Sequence, residues 1–449
     1  MIPTRKCASD NNPAELESPG WRTKPARSFL FLQGPPSRFA RELGTELSRR
    51  GLEVLRVNLC IGDWIYWHDG RSISYRGCLA GWEAWLEKLI RERSVTDIVY
   101  FADQVPYHRI AQRVAKRNRV RSLSYEYGYL RPDWIILEPG GQSAASHFSA
   151  NLAGIKARAA VVPPPEWDRL YNHDGRAESV GDTVYYLSNY LLWFLFPSYQ
   201  RYRMYNPLVE YLSYPLRFLR ARRLRSTVQK QIDELVSSGR PFFVAPLQMQ
   251  NDHQIRANSP WSDQRDFLKT IVASFATDAP RDACLVIKQH PLDNGLEDWA
   301  RFLHGLVRSY SLADRVLFLD GGDLGRLTRA ASGMIVINST CGVTALRLGC
   351  PVKVLGCATY DIAGITDQGS LRAFWKSPLK PAQQDVDAFL AVLAHDAHVR
   401  GDFYGQRGRA AAVATMADRL ESGQVWTGLF EVEPPRAAAA KRMGLGAAA

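Results

Sequence analysis

A carboxylate, a glycine and a guanidinium lie within six residues in the stretch SLSYEYGYLRPDWI, residues 122–135. Glu126 stands among tyrosines, and Gly128 and Arg131 follow it. Burial among aromatic rings raises the pKa of a carboxyl group, whereas a nearby arginine lowers it. A carboxylate tuned in this way suits a general base or a nucleophile. The stretch therefore predicts a catalytic role for Glu126.

Two other stretches have side chains that could bind an anion. The apolar run ACLVI ends in Lys288, and His290 and Pro291 follow. A lysine and a histidine placed there could contact a phosphate, and the histidine could donate a proton to a leaving group. Ser339 and Thr340 follow the next apolar run and precede a predicted helix. Each motif alone is equally well explained by hydrogen bonding or helix capping, but together they favour a nucleotide-phosphate site.

Further acids and bases lie in the first half of the chain. Asp103 follows the apolar run TDIVYFA, and His108 and Arg109 open the next predicted helix. Asp63 lies in the stretch GDWIYW. Each of these residues could also be a helix cap or a surface charge, so they remain candidates beside Glu126.

Alternating strands and helices must position these side chains. The run SFLFLQG, residues 28–34, predicts a strand, and apolar residues at spacing four predict a helix that ends at Gly51. The alternation continues to residue 127 and resumes at residue 240, which indicates parallel sheets. Such sheets bind ligands beyond the carboxyl ends of their strands. We therefore predict an α/β, GT-B-like fold with two Rossmann-like domains facing a cleft.

The length of 449 residues also favours two domains. The predicted parts are a disordered tail (1–26), an N-terminal acceptor and catalytic domain (27–180), an aromatic and basic helical insert (181–235), a C-terminal nucleotide-binding domain (236–400), C-terminal helices (401–432) and a disordered tail (433–449).

Basic residues are concentrated in the insert. The chain has a formal net charge of +12. Residues 184–200 are aromatic and apolar, and basic side chains then outnumber acidic ones between residues 201 and 230. This combination is typical of a helix that lies on an anionic membrane surface. A helical hairpin with a solvated basic face would show the same pattern, so both interpretations stay open.

Several classes of function lack their sequence signals. The chain has no GxxxxGK[ST], GxGxxG or GxSxG motif, and its nine histidines show no metal-ligand spacing. The seven cysteines are odd in number and form no CxxC pair, which favours a reducing, cytoplasmic compartment. Nucleic-acid binding is disfavoured because the basic residues lie beside an apolar stretch instead of an aromatic-studded groove. We therefore predict neither a metal site nor a nucleic-acid partner.

Many stretches along the chain match one family in order. They are LFLQGPPSRFARELGTELSRRG, VNLCIGDWIYW, TDIVYFAD, PYHRIA, YEYGYLRPDWIILEPGG, NPLVEYLSYPLR, PLQMQNDHQI, KQHP, INSTCGVTALRLGCPV and YDIAGITDQGSLRAFW. From about Ser28 to Trp375, the chain resembles the capsular polysaccharide biosynthesis and export proteins of Gram-negative bacteria, of the KpsS/LipB type.

The resemblance implies a glycosyltransferase for β-Kdo, 3-deoxy-D-manno-oct-2-ulosonic acid. The donor would be CMP-β-Kdo and the acceptor a phosphatidylglycerol-type lipid, which would start the oligo-Kdo linker of the capsule. The expected location is the cytoplasmic face of the inner membrane, where the protein would bind peripherally. Capsule assembly and export proteins would be its partners, and no cofactor or metal besides the donor is implied.

The resemblance also assigns the CMP-binding residues. The histidine–proline pair of related CMP-sugar transferases corresponds to His290 and Pro291, and their hydroxyl motif corresponds to Ser339 and Thr340. All four would hold the CMP phosphate, together with the neighbouring Lys288.

This chain departs from the acidic motif of the family at one position. Many relatives have two acids before a glycine, whereas this chain has Glu126 followed by Tyr127. Transfer from CMP-β-Kdo to a β-linked product is net retention, which implies two displacements and an enzymic nucleophile. Glu126 is the first candidate; Asp103 and Asp63 are further carboxylates, and His108 is a candidate auxiliary base.

The carboxylate of Kdo would need a cation. Arg131, Arg76 and Arg109 are candidates, since each follows a predicted strand end or turn. Gln248 and Asp252, from the strand-end stretch PLQMQND, are expected to contact sugar or acceptor, as is Asp63.

Two alternative functions stay open. The same fold could transfer another CMP-activated nulosonic acid, such as sialic acid. The chain could also be an inactive scaffold of capsule export, and the tyrosine at position 127 favours this alternative.

Overall fold

The computed structural model describes residues 27–202 and 204–445. The predicted N-terminal tail, residues 1–26, lies outside the described residues. The strands are β1 (Ser28–Phe31), β2 (Glu53–Asn58), β3 (Ser72–Ser74), β4 (Asp97–Phe101), β5 (Arg121–Tyr127), β6 (Trp134–Pro139), β7 (Phe242–Pro246), β8 (Cys284–Lys288), β9 (Val316–Leu319), β10 (Gly333–Val336), β11 (Val352–Val354) and β12 (His398–Arg400).

The α-helices connect these strands and cover the sheets. They are α1 (Phe39–Arg49), α2 (Ile61–Tyr66), α3 (Leu79–Glu92), α4 (Pro106–Arg117), α5 (Leu152–Ala159), α6 (Gly175–Leu191), α7 (Pro207–Ser237), α8 (His253–Ala257), α9 (Gln264–Asp278), α10 (Trp299–Ser309), α11 (Leu324–Ala330), α12 (Cys341–Arg347), α13 (Leu371–Lys376), α14 (Gln383–Val392), α15 (Gln406–Ser422) and α16 (Ala437–Arg442). A short 3-10 helix, Trp193–Leu195, follows α6.

The first sheet has the strand order β12–β6–β5–β4–β1–β2–β3. Neighbouring strands from β3 to β5 pair in parallel, whereas β6 runs antiparallel to β5 and β12 runs antiparallel to β6. The central strands are apolar runs because helices cover both of their faces. One face packs against α1 and α15, and the other packs against α3 and α4.

The second sheet has the order β11–β10–β7–β8–β9, and all of its neighbouring strands are parallel. Helices α7, α11, α12 and α14 cover one face, and α9, α10 and α13 cover the other. The predicted α/β architecture with two Rossmann-like sheets is confirmed.

Strand order reverses at one point in each sheet, between β1 and β4 in the first and between β7 and β10 in the second. Ligands of open α/β sheets bind at such points, beyond the carboxyl ends of the strands. The loop after β6 touches the second sheet's loops there: the Ala144 N–H donates to Asn258 Oδ1 at 3.2 Å. The loops of the two sheets therefore meet at one junction.

Helices α6 and α7 join the two halves and correspond to the predicted insert. Helix α7 has 31 residues, a length of about 46 Å, and Asn206 caps its first turn by accepting the Leu208 N–H at 2.9 Å. The buried Arg217 of this helix pairs with Asp320 at the end of β9, at 2.6 Å. One of the basic residues of the insert is therefore structural. Within the described part of the chain, no helix combines the length and apolarity needed to cross a membrane.

The chain returns to the first sheet near its C-terminus. Strand β12 pairs with β6, and α15 packs against α1. Arg50 at the end of α1 contacts Asp418 and Glu421 of α15 at 2.6 and 2.8 Å. The structure therefore assigns residues 398–400 to the first sheet, whereas the sequence prediction placed them in the C-terminal domain.

The prediction of a disordered tail from residue 433 is wrong for residues 433–445, which the structure describes. They include α16, and Arg436 before that helix is buried. The guanidinium of Arg436 donates to the carbonyl oxygens of Phe148, Ala358 and Thr359. The low sequence complexity of this segment suggested disorder. Its ordered position depends on the hydrogen bonds of the single buried Arg436, which composition does not show.

Candidate functional site

Glu126 lies at the carboxyl end of β5 and is partly exposed. Its Oε2 is buried and has no hydrogen-bond partner among the residues described. Burial raises the pKa of Glu126 to about 7, with opposing effects of nearby charges: His253 and Arg131 lower it, while Asp103 and Asp252 raise it. A carboxyl group with this pKa can exchange a proton near neutral pH, as a general base must.

Asp103 follows β4 and is fully buried. Its Oδ2 accepts the Gln142 N–H at 3.0 Å and the Gln104 amide at 2.8 Å, whereas Oδ1 has no partner within the described ranges. Burial raises the pKa of Asp103. Buried polar atoms without partners are rare, and here two neighbouring carboxyl groups have one each. The structure thus brings together the predicted Glu126 and Asp103.

His253 joins this pair from the other half of the chain. Asp252 accepts the Gln254 N–H at 2.9 Å, so His253 begins α8 directly after the loop that follows β7. The His253 Nε2 is buried and has no hydrogen-bond partner in the described structure. Its charge lowers the pKa of both Glu126 and Asp103. His253 directly follows the predicted Asp252 but was not itself predicted as a site residue.

Lys288 and His290 lie at the end of β8. Lys288 is buried, and burial lowers its pKa. The His290 Nδ1 accepts the Leu292 N–H at 3.1 Å, so the proton of the neutral ring is on Nε2. Burial and the charge of Lys288 lower the pKa of His290. The adjacent Pro291 is exposed.

Ser339 and Thr340 precede α12 at the end of β10, which lies on the other side of β7 from β8. The Ser339 Oγ accepts the Cys341 N–H at 3.2 Å, and Tyr360 donates its hydroxyl to the Ser339 carbonyl at 2.5 Å. Thr340 makes no side-chain capping bond. The pKa of Lys288 responds to Cys341, which places the two strand ends within electrostatic range. The predicted anion-binding residues therefore lie at the same edge of the second sheet, on either side of β7.

Arg131 links the two groups of residues. Part of its surface is exposed to solvent. Desolvation by the surrounding protein lowers the pKa of Arg131, whereas the charges of Tyr127, Glu126 and Cys341 raise it. The charge of Arg131 in turn lowers the pKa of His290. Arg131 is therefore close to the carboxylates of one sheet and to the basic residues of the other.

Asp63 is not part of this cluster. It is buried and pairs with the buried Arg56 at 3.1 Å. Its other contacts are the Leu59 N–H at 2.9 Å and the Tyr185 hydroxyl at 3.1 Å. This environment explains Asp63 as a structural ion pair and argues against the predicted contact with sugar or acceptor.

Removal of Asp63 is expected to destabilise the fold. Asp63→Ala leaves the Arg56 charge buried without its carboxylate, which costs about 3–5 kcal/mol in the free energy of unfolding. Urea unfolding measures this loss as a shift of the midpoint at constant slope. Asp266→Ala is the control, because Asp266 and Lys269 form an exposed pair at 2.9 Å, for which we expect a loss of about 1 kcal/mol or less. Equal losses in both variants would contradict the interpretation.

Three other predicted residues do not fit their predicted roles. His108 lies near Asp103, with its Nδ1 at 2.8 Å from the Ala102 carbonyl, but it is fully buried and burial lowers its pKa to about 3, which argues against an auxiliary base. Arg76 is exposed and lies 5.8 Å from the Phe196 ring, beside the insert. Arg109 is exposed on α4.

Gln248 and Asp252 support the cluster from the side of β7. The Gln248 amide donates to Asp252 Oδ2 at 3.1 Å and to Asn338 Oδ1 at 3.0 Å. Gln248 Oε1 is buried and has no partner among residues with a described position. This network connects the loop after β7 with the loop after β10. Among the described residues, no group of three or more histidine, cysteine, aspartate or glutamate side chains is placed to hold a metal ion.

Comparison with known proteins identifies the family. Residues 96–404 match the family described as capsule polysaccharide biosynthesis protein. The chain belongs to this family. The matched region contains Asp103, Glu126, His253, His290 and Ser339, so both sides of the candidate site lie within it.

Two relatives match most of the chain. The capsule polysaccharide export protein KpsS of Escherichia coli is 30% identical over 380 residues, which cover 84% of this chain and 97% of that protein. The capsule polysaccharide modification protein LipB of Neisseria meningitidis serogroup A is 31% identical over 395 residues, which cover 85% and 92%. The resemblance stated from sequence motifs is confirmed.

Among solved structures, the chain is similar to the β-Kdo 2,7 transferase KpsC of Thermosulfurimonas dismutans. The sequences are 13% identical and the TM-score is 0.42, with 89% of this chain and 100% of that chain covered.

Proposed function

We propose that this capsule polysaccharide biosynthesis protein is a glycosyltransferase that moves β-Kdo from CMP-β-Kdo to a phosphatidylglycerol or lysophosphatidylglycerol acceptor. The product would start the oligo-Kdo linker of the capsule. One observation carries the proposal: Glu126, with a pKa of about 7 and an unpartnered oxygen, lies within electrostatic range of His253 and Arg131 at the junction of the two sheets. Arg131 is in turn within electrostatic range of His290, which supports a proton acceptor near the residues that would bind the phosphate.

In this proposal, the second sheet binds the donor. Lys288, His290, Ser339 and Thr340 contact the phosphate of CMP, and Pro291 shapes the turn. The neutral His290 donates its Nε2 proton in a hydrogen bond to the leaving phosphate. The reaction is proposed to be independent of metal ions, so chelation should leave the transfer rate unchanged.

In this proposal, residues at the edge of the first sheet bind the sugar and the acceptor. Arg131 is exposed beside Glu126 and can pair with the carboxylate of Kdo, as a guanidinium does with planar anions. Glu126 accepts the proton of the acceptor hydroxyl when that oxygen attacks the anomeric carbon. Gln248 and Asp252, held by the network between β7 and β10, are placed to contact the sugar.

An exposed apolar surface supports contact with a lipid. We call it the apolar ridge, and it comprises Val180, Val184, Leu191, Leu192, Trp193, Phe194, Leu195, Leu208, Val209, Leu212, Leu216, Phe218 and Leu219. Leu208, Leu212, Leu216 and Leu219 follow one another at helical spacing on α7, so they share a face. The exposed arginines Arg222, Arg223 and Arg225 follow on the same helix. Apolar side chains beside arginines suit an anionic membrane surface.

The ridge is expected to bind vesicles that contain phosphatidylglycerol. Leu212 and Leu216 are 75% and 73% exposed, so Leu212→Glu with Leu216→Glu should lower vesicle binding at least tenfold and leave the fold intact. Cosedimentation with vesicles measures the change. Val432→Glu is the matched control, since Val432 is 92% exposed on the C-terminal segment. Unchanged binding of the double variant would show that membrane contact does not use the ridge.

A transfer assay tests the proposed activity. The purified chain is incubated with CMP-β-Kdo and a short-chain phosphatidylglycerol, and product mass and anomeric configuration are determined. The expected product has one or more β-linked Kdo residues. A parallel assay with CMP-sialic acid tests the alternative donor. If CMP-sialic acid is turned over faster than CMP-β-Kdo, sialic acid replaces Kdo as the proposed sugar.

A non-catalytic role is the second candidate. It is favoured by Tyr127, which stands where many relatives have a second acid. In that case the chain would act as a scaffold for capsule assembly and export proteins. Binding of these partners without any sugar transfer would support the scaffold and refute the transferase.

A further inference from the structure

Tyr127 is the first member of a chain of hydrogen bonds outside the cluster of Glu126 and Asp103. The Tyr127 hydroxyl donates to Glu178 Oε1 of α6. Glu178 Oε2 contacts His173 Nε2 at 2.7 Å, and His173 Nδ1 contacts Asp402 Oδ2 at 2.6 Å. Asp402 is itself fixed by the N–H groups of Tyr404 and Gly405. Residues far apart in sequence therefore assemble around one phenol.

The protonation states in this chain follow from its geometry. Both ring nitrogens of His173 face carboxylates, so both must carry a proton and donate. Burial opposes the imidazolium, but the hydrogen bonds to Asp402 and Glu178 outweigh it and raise the pKa of His173. Glu178 Oε2 is thus occupied by an N–H donor, and Oε1 is directed at the Tyr127 hydroxyl.

The Tyr127 ring packs edge-on against Phe101 and Phe403 at the margin of the first core, but it is not fully enclosed there. Tyr127 and the side chains of His173 and Glu178 are all partly exposed. The Arg131 guanidinium lies 5.1 Å above the Tyr127 ring. Arg131 also lies within electrostatic range of Glu126, Glu178 and Cys341. The same cation therefore lies beside the phenol, the candidate base and the phosphate-binding loop.

We propose that Tyr127 is the nucleophile of the first displacement and that Glu178 is its base. This inference rests on the proposed transfer of an ulosonic acid. The anomeric carbon of such a sugar carries a carboxylate, which repels an anionic nucleophile but not a neutral phenol. Sialidases, whose substrate has the same feature, use a tyrosine nucleophile. The pairing of a phenol with a carboxylate supplies the nucleophile and its proton acceptor together.

The two displacements balance. In the first, Tyr127 Oη forms a bond to the anomeric carbon, the bond to the phosphate oxygen breaks with its electron pair, and the phenolic proton moves to Glu178. CMP leaves. In the second, the acceptor oxygen attacks the same carbon, its proton moves to Glu126, and the bond to Tyr127 breaks. The phenolate then recovers its proton from Glu178.

The remaining residues have positioning roles. His173 and Asp402 hold the Glu178 side chain so that its Oε1 remains hydrogen-bonded to the Tyr127 hydroxyl. Arg131 pairs with the sugar carboxylate above the ring of Tyr127, which aligns the anomeric carbon with the attacking oxygen. Tyr127 thus takes the place, as nucleophile, of the second acid that many relatives have at this position.

The test traps the covalent intermediate. Full-length protein is incubated with CMP-β-Kdo without acceptor, quenched in acid, and analysed by intact and peptide mass spectrometry. The expected result is a gain of one Kdo residue on the peptide that contains Tyr127. Tyr127→Phe keeps the ring and its contacts but should lose both the adduct and at least 99% of transfer, with CMP affinity unchanged. Glu178→Gln should slow adduct formation and remain able to bind CMP.

Tyr66→Phe is the matched control, because the Tyr66 hydroxyl donates to the Gly181 carbonyl of the same helix α6 at 3.1 Å. It should keep both the adduct and the transfer rate. A Kdo adduct on another residue, or transfer by Tyr127→Phe above a tenth of the normal rate, would overturn the role of Tyr127 and leave the proposed function standing. Failure of the unaltered protein to turn over any CMP-linked ulosonic acid would overturn both.

Discussion

Glu126→Gln is expected to lower the rate of transfer by a factor of about 10²–10⁴, the usual contribution of a general base, while CMP affinity stays nearly unchanged. The substitution keeps the shape of the side chain but removes its capacity to accept a proton. Glu126 has an unpartnered oxygen and a pKa near 7, so the loss falls on catalysis and not on a structural contact. Steady-state transfer kinetics and calorimetric CMP binding measure the two effects separately.

The pH dependence provides an independent measure of the same group. A base must be deprotonated, so transfer by the unaltered protein should rise as pH increases through about 7 and fall below it. Residual activity of Glu126→Gln should lack this transition. Because the folded pKa lies above the ordinary value of 4.5, ionisation destabilises the fold above pH 7 and has no effect below pH 4.5. The variant should therefore unfold at equal or higher temperature at pH 8.

Glu92→Gln is the matched control for this prediction. Glu92 lies on the exposed surface of α3, where it forms a salt bridge with Lys88 at 3.6 Å. Its substitution should change neither the transfer rate nor the pH profile. A transfer rate of Glu126→Gln within tenfold of normal would refute the role of Glu126 as the base.

Lys288→Ala is expected to weaken CMP binding by about 10–150-fold, because a hydrogen bond to a charged group contributes about 1.5–3 kcal/mol. Lys288 is buried at the end of β8, where burial lowers its pKa and a bound phosphate would restore a counter-charge. His290→Ala and Ser339→Ala each remove one donor and should weaken binding by about tenfold. Calorimetry at fixed ionic strength measures all three.

Lys269→Ala controls for the loss of a positive charge. Lys269 is exposed on α9 and pairs with Asp266 at 2.9 Å. It should bind CMP normally. If Glu126→Gln weakened CMP binding as much as Lys288→Ala, the proposed division between a donor-binding sheet and a catalytic sheet would be wrong.

The parallel strands other than the three-residue β3 were predictable from their apolar runs and from the helical periodicity between them. Strands β3, β6 and β12 were missed. β6 is an apolar run that begins two residues after Pro132, in a stretch that was interpreted only for its chemistry. β12 has three residues and pairs with a strand about 260 positions earlier, as in His398 opposite Ile136. Local patterns contain no information about such distant pairing.

The site was predictable to the level of strand ends, but not to the direction of each side chain. Asp103 and Asp63 both follow strands, and only the structure separates a carboxylate with one unpartnered oxygen from a carboxylate paired with Arg56. His253 was missed because a histidine one residue after a capping aspartate has no distinctive sequence signal. The partners of Tyr127, which are Glu178 on α6 and then His173, could not be inferred because they depend on long-range packing.

The buried Arg436 has a consequence for motion between the two halves of the molecule. Its guanidinium holds the Phe148 carbonyl next to the first sheet and the Ala358 and Thr359 carbonyls next to the second. Any motion that separates these stretches would leave the buried guanidinium charge without its hydrogen-bond partners, which is costly. The C-terminal segment therefore resists separation of the two halves at the point where Arg436 lies.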